Sequence, residues 1–69
     1  MTPRELKRYR EDQRMSQFDF AEWMGVASDR TVRKWESGEA EIPGPVERLV
    51  WVLQRSASAR EALDLFPLD

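Results

Sequence analysis

The stretch Ser28-Asp29-Arg30-Thr31-Val32-Arg33-Lys34-Trp35-Glu36-Ser37-Gly38 reads as one short helix with both ends marked and two unlike edges. Ser28 is a natural N-cap, Asp29 stands where the helix dipole favours an acid, and Gly38 supplies the left-handed residue that closes a helix. Val32 and Trp35, three apart, share an edge that can face a core, while Arg30, Arg33 and Lys34 project elsewhere. Only Asp29 has the i, i+4 spacing to neutralise one of them, Arg33. Arg30 and Lys34 are like charges at that spacing, which costs an isolated helix roughly 0.2–0.5 kcal/mol. Two readings follow from these residues alone: a solvated polar face, or a face whose surplus charge is completed by an external anion.

Working outward, each neighbouring segment reads as a helix. Thr2, Pro3 and Glu5 supply an N-cap, an N1 proline and an N3 acid, and Leu6 and Tyr9 an apolar edge, predicting a helix from Pro3 to Gln13. Ser16 with Asp19 resembles a capping box, and Phe20, Ala21 and Met24 form one face before Gly25, predicting a helix over 17–24. After an Ile42-Pro43-Gly44 loop, Pro45 opens a fourth helix whose Val46, Leu49, Val50 and Leu53 follow the i, i+3, i+4, i+7 pattern. Ser58 with Glu61 predicts a short fifth helix over 59–65, stopped by Pro67. No segment alternates over strand length. The expected fold is all-α, five short helices in one compact unit, with residues 1–55 forming the main domain and 56–69 a C-terminal helix and tail.

Composition sets the limits. A chain of 69 residues buries only about 60% of its unfolded surface, so little core is available. With no cysteine and no histidine, disulfides and the usual zinc ligand sets are excluded, and packed helices must supply the stability. No apolar run approaches the roughly 20 residues a bilayer span needs, and the charged start does not read as a signal peptide, so a cytoplasmic protein without membrane partners is expected. The net charge of −2 argues against a nonspecific nucleic-acid coat. Its distribution is polarised: +1 through Gly38 and −3 from Glu39 onward. Such a molecule can offer DNA a locally positive end while its other end repels it. No carboxylate pair falls in a recognisable catalytic arrangement, so neither an enzyme nor a cofactor is expected.

Taken together, Leu6, Arg10, Ser16-Gln17, Ala21, Gly25-Val26, Thr31-Val32, Trp35-Glu36, Gly38, Ile42-Pro43 and Leu49 resemble the Xre family, the Cro and lambda-repressor type of helix-turn-helix domain, over about residues 4 to 53. The resemblance implies a lambda-repressor-like bundle in which helix 3, about 29–36, enters the major groove and helix 2 crosses the DNA backbone. It implies base contacts from Arg30, Arg33, Lys34 and Asp29, and backbone contacts from Gln17, Ser28 and Thr31. For Arg30 the physical reason is that a planar guanidinium can bond O6 and N7 of guanine together. For Asp29 a helix-stabilising first-turn role stands beside acceptance from a cytosine amino group. Arg10 and Glu36 match the family's structural ion pair. Two departures stand out. The turn between Gly25 and Thr31 is one residue longer than usual, and the loop after helix 3 carries Glu39 and Glu41 where basic residues often meet phosphates. Those acids set the loop back from the backbone or restrain nonspecific binding.

Trp51 falls roughly opposite the apolar stripe of helix 4 and needs another cover. Either the apolar tail, with Leu65, Phe66 and Leu68, folds over it, or two chains share this surface as a homodimer on a palindromic operator. The expected function is a sequence-specific transcriptional regulator of double-stranded DNA, most simply a dimeric repressor or autorepressor of phage or mobile-element type. RNA polymerase is a further partner if the acidic side activates. The competing expectation is a helix-turn-helix-fold adaptor, of antitoxin or co-regulator type, that binds another protein through its apolar tail or acidic surface.

Overall fold

The computed structural model describes residues 1–66 and is all-helical there: α1 Pro3–Asp12, α2 Gln17–Met24, α3 Asp29–Ser37, α4 Gly44–Arg55 and α5 Ala57–Asp64. Leu68 therefore lies outside the described residues. Among the described residues no helix is long and apolar enough to cross a membrane.

Local chemistry explains most boundaries. Thr2 and Glu5 form a reciprocal capping box: the Thr2 hydroxyl accepts from the Glu5 N–H at 3.1 Å, and the Glu5 carboxylate accepts from the Thr2 N–H at 2.7 Å. These bonds hold the Glu5 carboxyl below the usual carboxylate range. Ser16 caps α2 by accepting from the Asp19 N–H at 3.0 Å. The return bond of a box is absent, as expected of an Asp side chain one methylene shorter than Glu. At the far end of α2, Gly25 takes φ 75°, the Val26 N–H bonds the Ala21 carbonyl at 2.8 Å, and the Gly25 N–H bonds Glu22 at 3.2 Å. This is a Schellman closure.

Three expectations need correction. Ser28 occupies the N-cap of α3 with extended backbone, yet its hydroxyl caps nothing. The Thr31 N–H bonds the Ser28 carbonyl at 3.2 Å instead. The fifth helix starts earlier, at Ala57, because Ser56 rather than Ser58 is the cap, accepting from the Ala59 N–H at 3.1 Å. Ser56 thereby ends α4 and begins α5, so the two helices meet at a single residue. The fourth helix starts at Gly44, with Pro43 at its N-cap.

The core is one cluster: Leu6 and Tyr9 from α1, Phe20 and Ala21 from α2, Val32 and Trp35 from α3, Val50 and Leu53 from α4. Tyr9 and Phe20 meet edge to face at 6.4 Å, and Trp23, half-buried, tilts against Phe20 at 6.2 Å. Ala21 is buried in this cluster, and α2 and α3 make the most extensive helix–helix contact of the fold. Helix α5 contributes nothing fully buried. It is tied to the rest by the Trp23 indole N–H donating to Asp64 at 2.8 Å and by Arg60 donating to Gln13 at 3.3 Å.

Candidate functional site

Helix α3 places its two edges as the spacing requires. Val32 and Trp35 are buried, while Arg30, Arg33 and Lys34 are exposed. Arg30, Arg33, Lys34 and Ser37 stand at i, i+3, i+4 and i+7, a single stripe on the side of the helix away from the core. With Glu39 they line one shallow depression. Ser37 was not singled out from sequence, although its seven-residue spacing from Arg30 is the signal that would have found it.

The cations of this stripe are not equivalent. Arg33 donates to Asp29 at 3.2 Å, the i, i+4 pair anticipated from spacing. Lys34 lies 3.8 Å from the Glu39 carboxylate, which the left-handed Gly38 (φ 82°) turns back toward the helix. Arg30 makes no ion pair or side-chain hydrogen bond among the described residues. Ser28, its hydroxyl unengaged, and the half-buried Thr31 complete the N-terminal end of the face.

Behind the stripe, Arg10 and Glu36 pair as the resemblance implies. Arg10 Nε donates to Glu36 Oε2 at 2.7 Å, Nη2 donates to Oε1 at 3.0 Å, and Nη1 donates to the Met15 carbonyl at 2.8 Å. The two side chains retain only 11% and 5% of their exposure. The bonds to Glu36 hold the Arg10 guanidinium above its already high ordinary value. Gln17, at the first turn of α2, joins this network: its Nε2 donates to Glu36 Oε1 at 3.1 Å. One carboxylate thus links α1, α2 and the end of α3, and the Gln17 side chain expected on a phosphate is held from behind by Glu36.

The aromatic residues divide. Phe18 is 58% exposed and stands outside the core. Trp51 is 56% exposed, and the depressions beside it are lined from the N-terminus, α1 and α4, including Met1, Glu5, Glu47, Arg48 and Val52, with nothing from α5. Its visible cover is the Arg55 guanidinium, 4.2 Å from the ring centre. Leu65 and Phe66, 83% and 65% exposed, lie elsewhere: Phe66 lines a separate pocket with Trp23, Met24 and Leu63. The expectation that the tail covers Trp51 is therefore not met among the described residues, and the two apolar spots are distinct. Among those residues no group of three or more acids is placed to hold a metal ion.

No protein-family model matches the chain, and no curated protein matches it in sequence.

Proposed function

We propose that the protein is a sequence-specific binder of double-stranded DNA, a transcriptional regulator of the Xre type that reads the major groove with α3. The observation that carries this reading is the stripe of Arg30, Arg33, Lys34 and Ser37 on the outer side of a short helix whose inner side is locked into the core. A helix of nine residues exposed along one edge can enter a groove about 12 Å wide, and guanidinium groups are suited to guanine edges. Arg30, unpaired among the described residues, is the first base-contact candidate. Arg33 and Lys34 follow, Asp29 serving chiefly as the first-turn acid beside Arg33, with Ser28, Thr31 and Gln17 on flanking phosphates.

The functional unit in this reading is a homodimer. Each copy carries one reading helix, so two copies are needed to read two half-sites roughly 34 Å apart on one DNA face. Trp51 and Val52 form an exposed apolar spot flanked by Glu47 and Arg48, charges of opposite sign that suit a self-complementary contact. Repression by occupying an operator is the simplest outcome. The adaptor reading draws its support from Leu65 and Phe66, exposed beside the Trp23 and Met24 pocket.

The test is enrichment of a random duplex pool on the purified protein at near-physiological salt, with Arg30→Ala as control. Recovery of a two-fold symmetric site by the wild type alone supports the reading. A folded protein that enriches no duplex refutes it and leaves the adaptor.

A further inference from the structure

Resting on the DNA-binding reading, we infer that Asp29 and Glu39 are specificity determinants, acting by holding Arg33 and Lys34 away from DNA phosphates until base edges compete for them. Both acids belong to the same surface as the cations they hold: Asp29 opens α3 and Glu39 follows its closing glycine. Among the described residues the exposed face therefore carries three cations, two of them within ion-pair distance of an acid and one, Arg30, open. Nonspecific attraction to DNA scales with the number of phosphates neutralised, each contact adding about 0.9 to the slope of log K against log salt. At about 0.1 M salt one such contact is worth about five- to tenfold in affinity. Breaking an exposed ion pair costs up to about fivefold. Where a pair is worth that full fivefold, exchanging Asp29 or Glu39 for a phosphate on random DNA gains no more than about twofold. A bidentate base contact is worth about 5- to 150-fold, so at a matching site the same exchange goes forward. An acid close to the phosphates adds repulsion wherever the exchange does not occur. The pairs thus subtract from every duplex but are outweighed at the right one, which reconciles a cationic reading edge with an overall charge of −2.

The experiment compares wild type, Glu39→Gln, Asp29→Asn and Arg30→Ala by fluorescence anisotropy on two labelled duplexes, one random and one recovered by enrichment, across a salt series. Circular dichroism checks that each is folded, which the exposed positions favour. The expected result for Glu39→Gln and for Asp29→Asn is binding to random duplex about five- to tenfold tighter, with a salt slope steeper by about 0.9 and a smaller gain on the recovered duplex. Arg30→Ala weakens the recovered duplex selectively. Unchanged affinities and slopes in both acid variants, or equal gains on both duplexes, overturn the inference while leaving DNA binding intact. A wild type that binds neither duplex removes the DNA reading and this inference with it.

Discussion

Glu36→Gln tests the frame that aims α3. The substitution keeps the shape of the side chain but turns one acceptor oxygen into an amide donor facing the Arg10 guanidinium. Glu36 accepts three hydrogen bonds, two from Arg10 and one from Gln17, within 2.7–3.1 Å. With the pair so nearly enclosed, neutralising one member strands the other's charge, a loss of about 3–5 kcal/mol. At about 0.05–0.15 kcal/mol per residue, a domain of this size has about 3–10 kcal/mol in total. The variant should therefore lose a large part of its stability. With a urea m-value near 1 kcal/mol/M, the low end for small proteins, the midpoint should fall by about 3 M or the protein should start unfolded. Helix signal at 222 nm and tryptophan fluorescence, to which Trp23, Trp35 and Trp51 all contribute, are the two probes. The double variant Arg10→Met, Glu36→Leu should recover much of the loss, because it removes both charges rather than one. A midpoint for Glu36→Gln within about 0.5 M of wild type, which at that m-value is about 0.5 kcal/mol, would refute the assignment of this pair as a structural tie.

Three further substitutions probe other parts of the structure. The Tyr9 hydroxyl is buried and has no hydrogen-bond partner among the described residues, so Tyr9→Phe should be neutral or stabilise by up to about 1 kcal/mol in urea unfolding; a loss above that would mean the hydroxyl is bonded. Burial also raises the Tyr9 pKa from 10.0. The unfolded chain then ionises first, and stability should fall as pH rises above 10, a slope that Tyr9→Phe should abolish. Tyr9 is the only tyrosine, so absorbance at the tyrosinate band follows it alone. Arg14, one residue past the Gln13 C-cap of α1, takes φ 59°, a left-handed backbone that a side chain disfavours, so Arg14→Gly should stabilise by about 1 kcal/mol, and a destabilised variant would contradict that geometry. On the homodimer reading, Trp51→Glu should leave folding intact but convert a dimeric wild type to a monomer in sedimentation. A wild type that is monomeric both free and on DNA would refute the pairing.

The helices were legible where a capping residue, an apolar period and a stop signal agreed. Thr2 with Pro3 and Glu5, and Ser28 with Gly38, bound α1 and α3 within a residue of where they lie. Where two signals competed, the sequence was ambiguous. Ser56 and Ser58 are both plausible caps, and the choice depends on how tightly α5 must fold back after α4, a tertiary demand that local spacing does not encode. The turn at Arg14 was missed because a left-handed residue is normally announced by glycine or asparagine. In the site, the Arg33–Asp29 pair followed from i, i+4 spacing. The Lys34–Glu39 approach depends on the path of the chain after Gly38, and the Gln17–Glu36 bond joins residues on different helices, so neither has a spacing rule to reveal it.

The Arg10–Glu36–Gln17 network has a consequence for the site beyond stability. Apolar burial of Val32 and Trp35 attaches α3 to the core, but the hydrophobic effect is non-directional and leaves the helix some freedom to roll about its axis. Rolling by one residue's 100° would swing the outer stripe away from any groove. A two-pronged Arg–carboxylate bond does have direction, and Glu36 sits on the flank of α3 between the buried edge and the cationic one. Fixing that flank to α1, and through Gln17 to the first turn of α2, sets the roll of α3 relative to both helices at once. On the DNA-binding reading, loss of the pair should therefore blur selectivity in whatever fraction of the protein stays folded. A milder variant, Gln17→Leu, isolates this effect, because it keeps the Arg10–Glu36 pair and deletes only the link to α2. Its expected signature is near-normal urea stability with a reduced ratio of binding to the recovered duplex over random duplex. If both duplexes weaken by the same factor, the Gln17 side chain serves as a phosphate contact alone, and the roll of α3 is set without it.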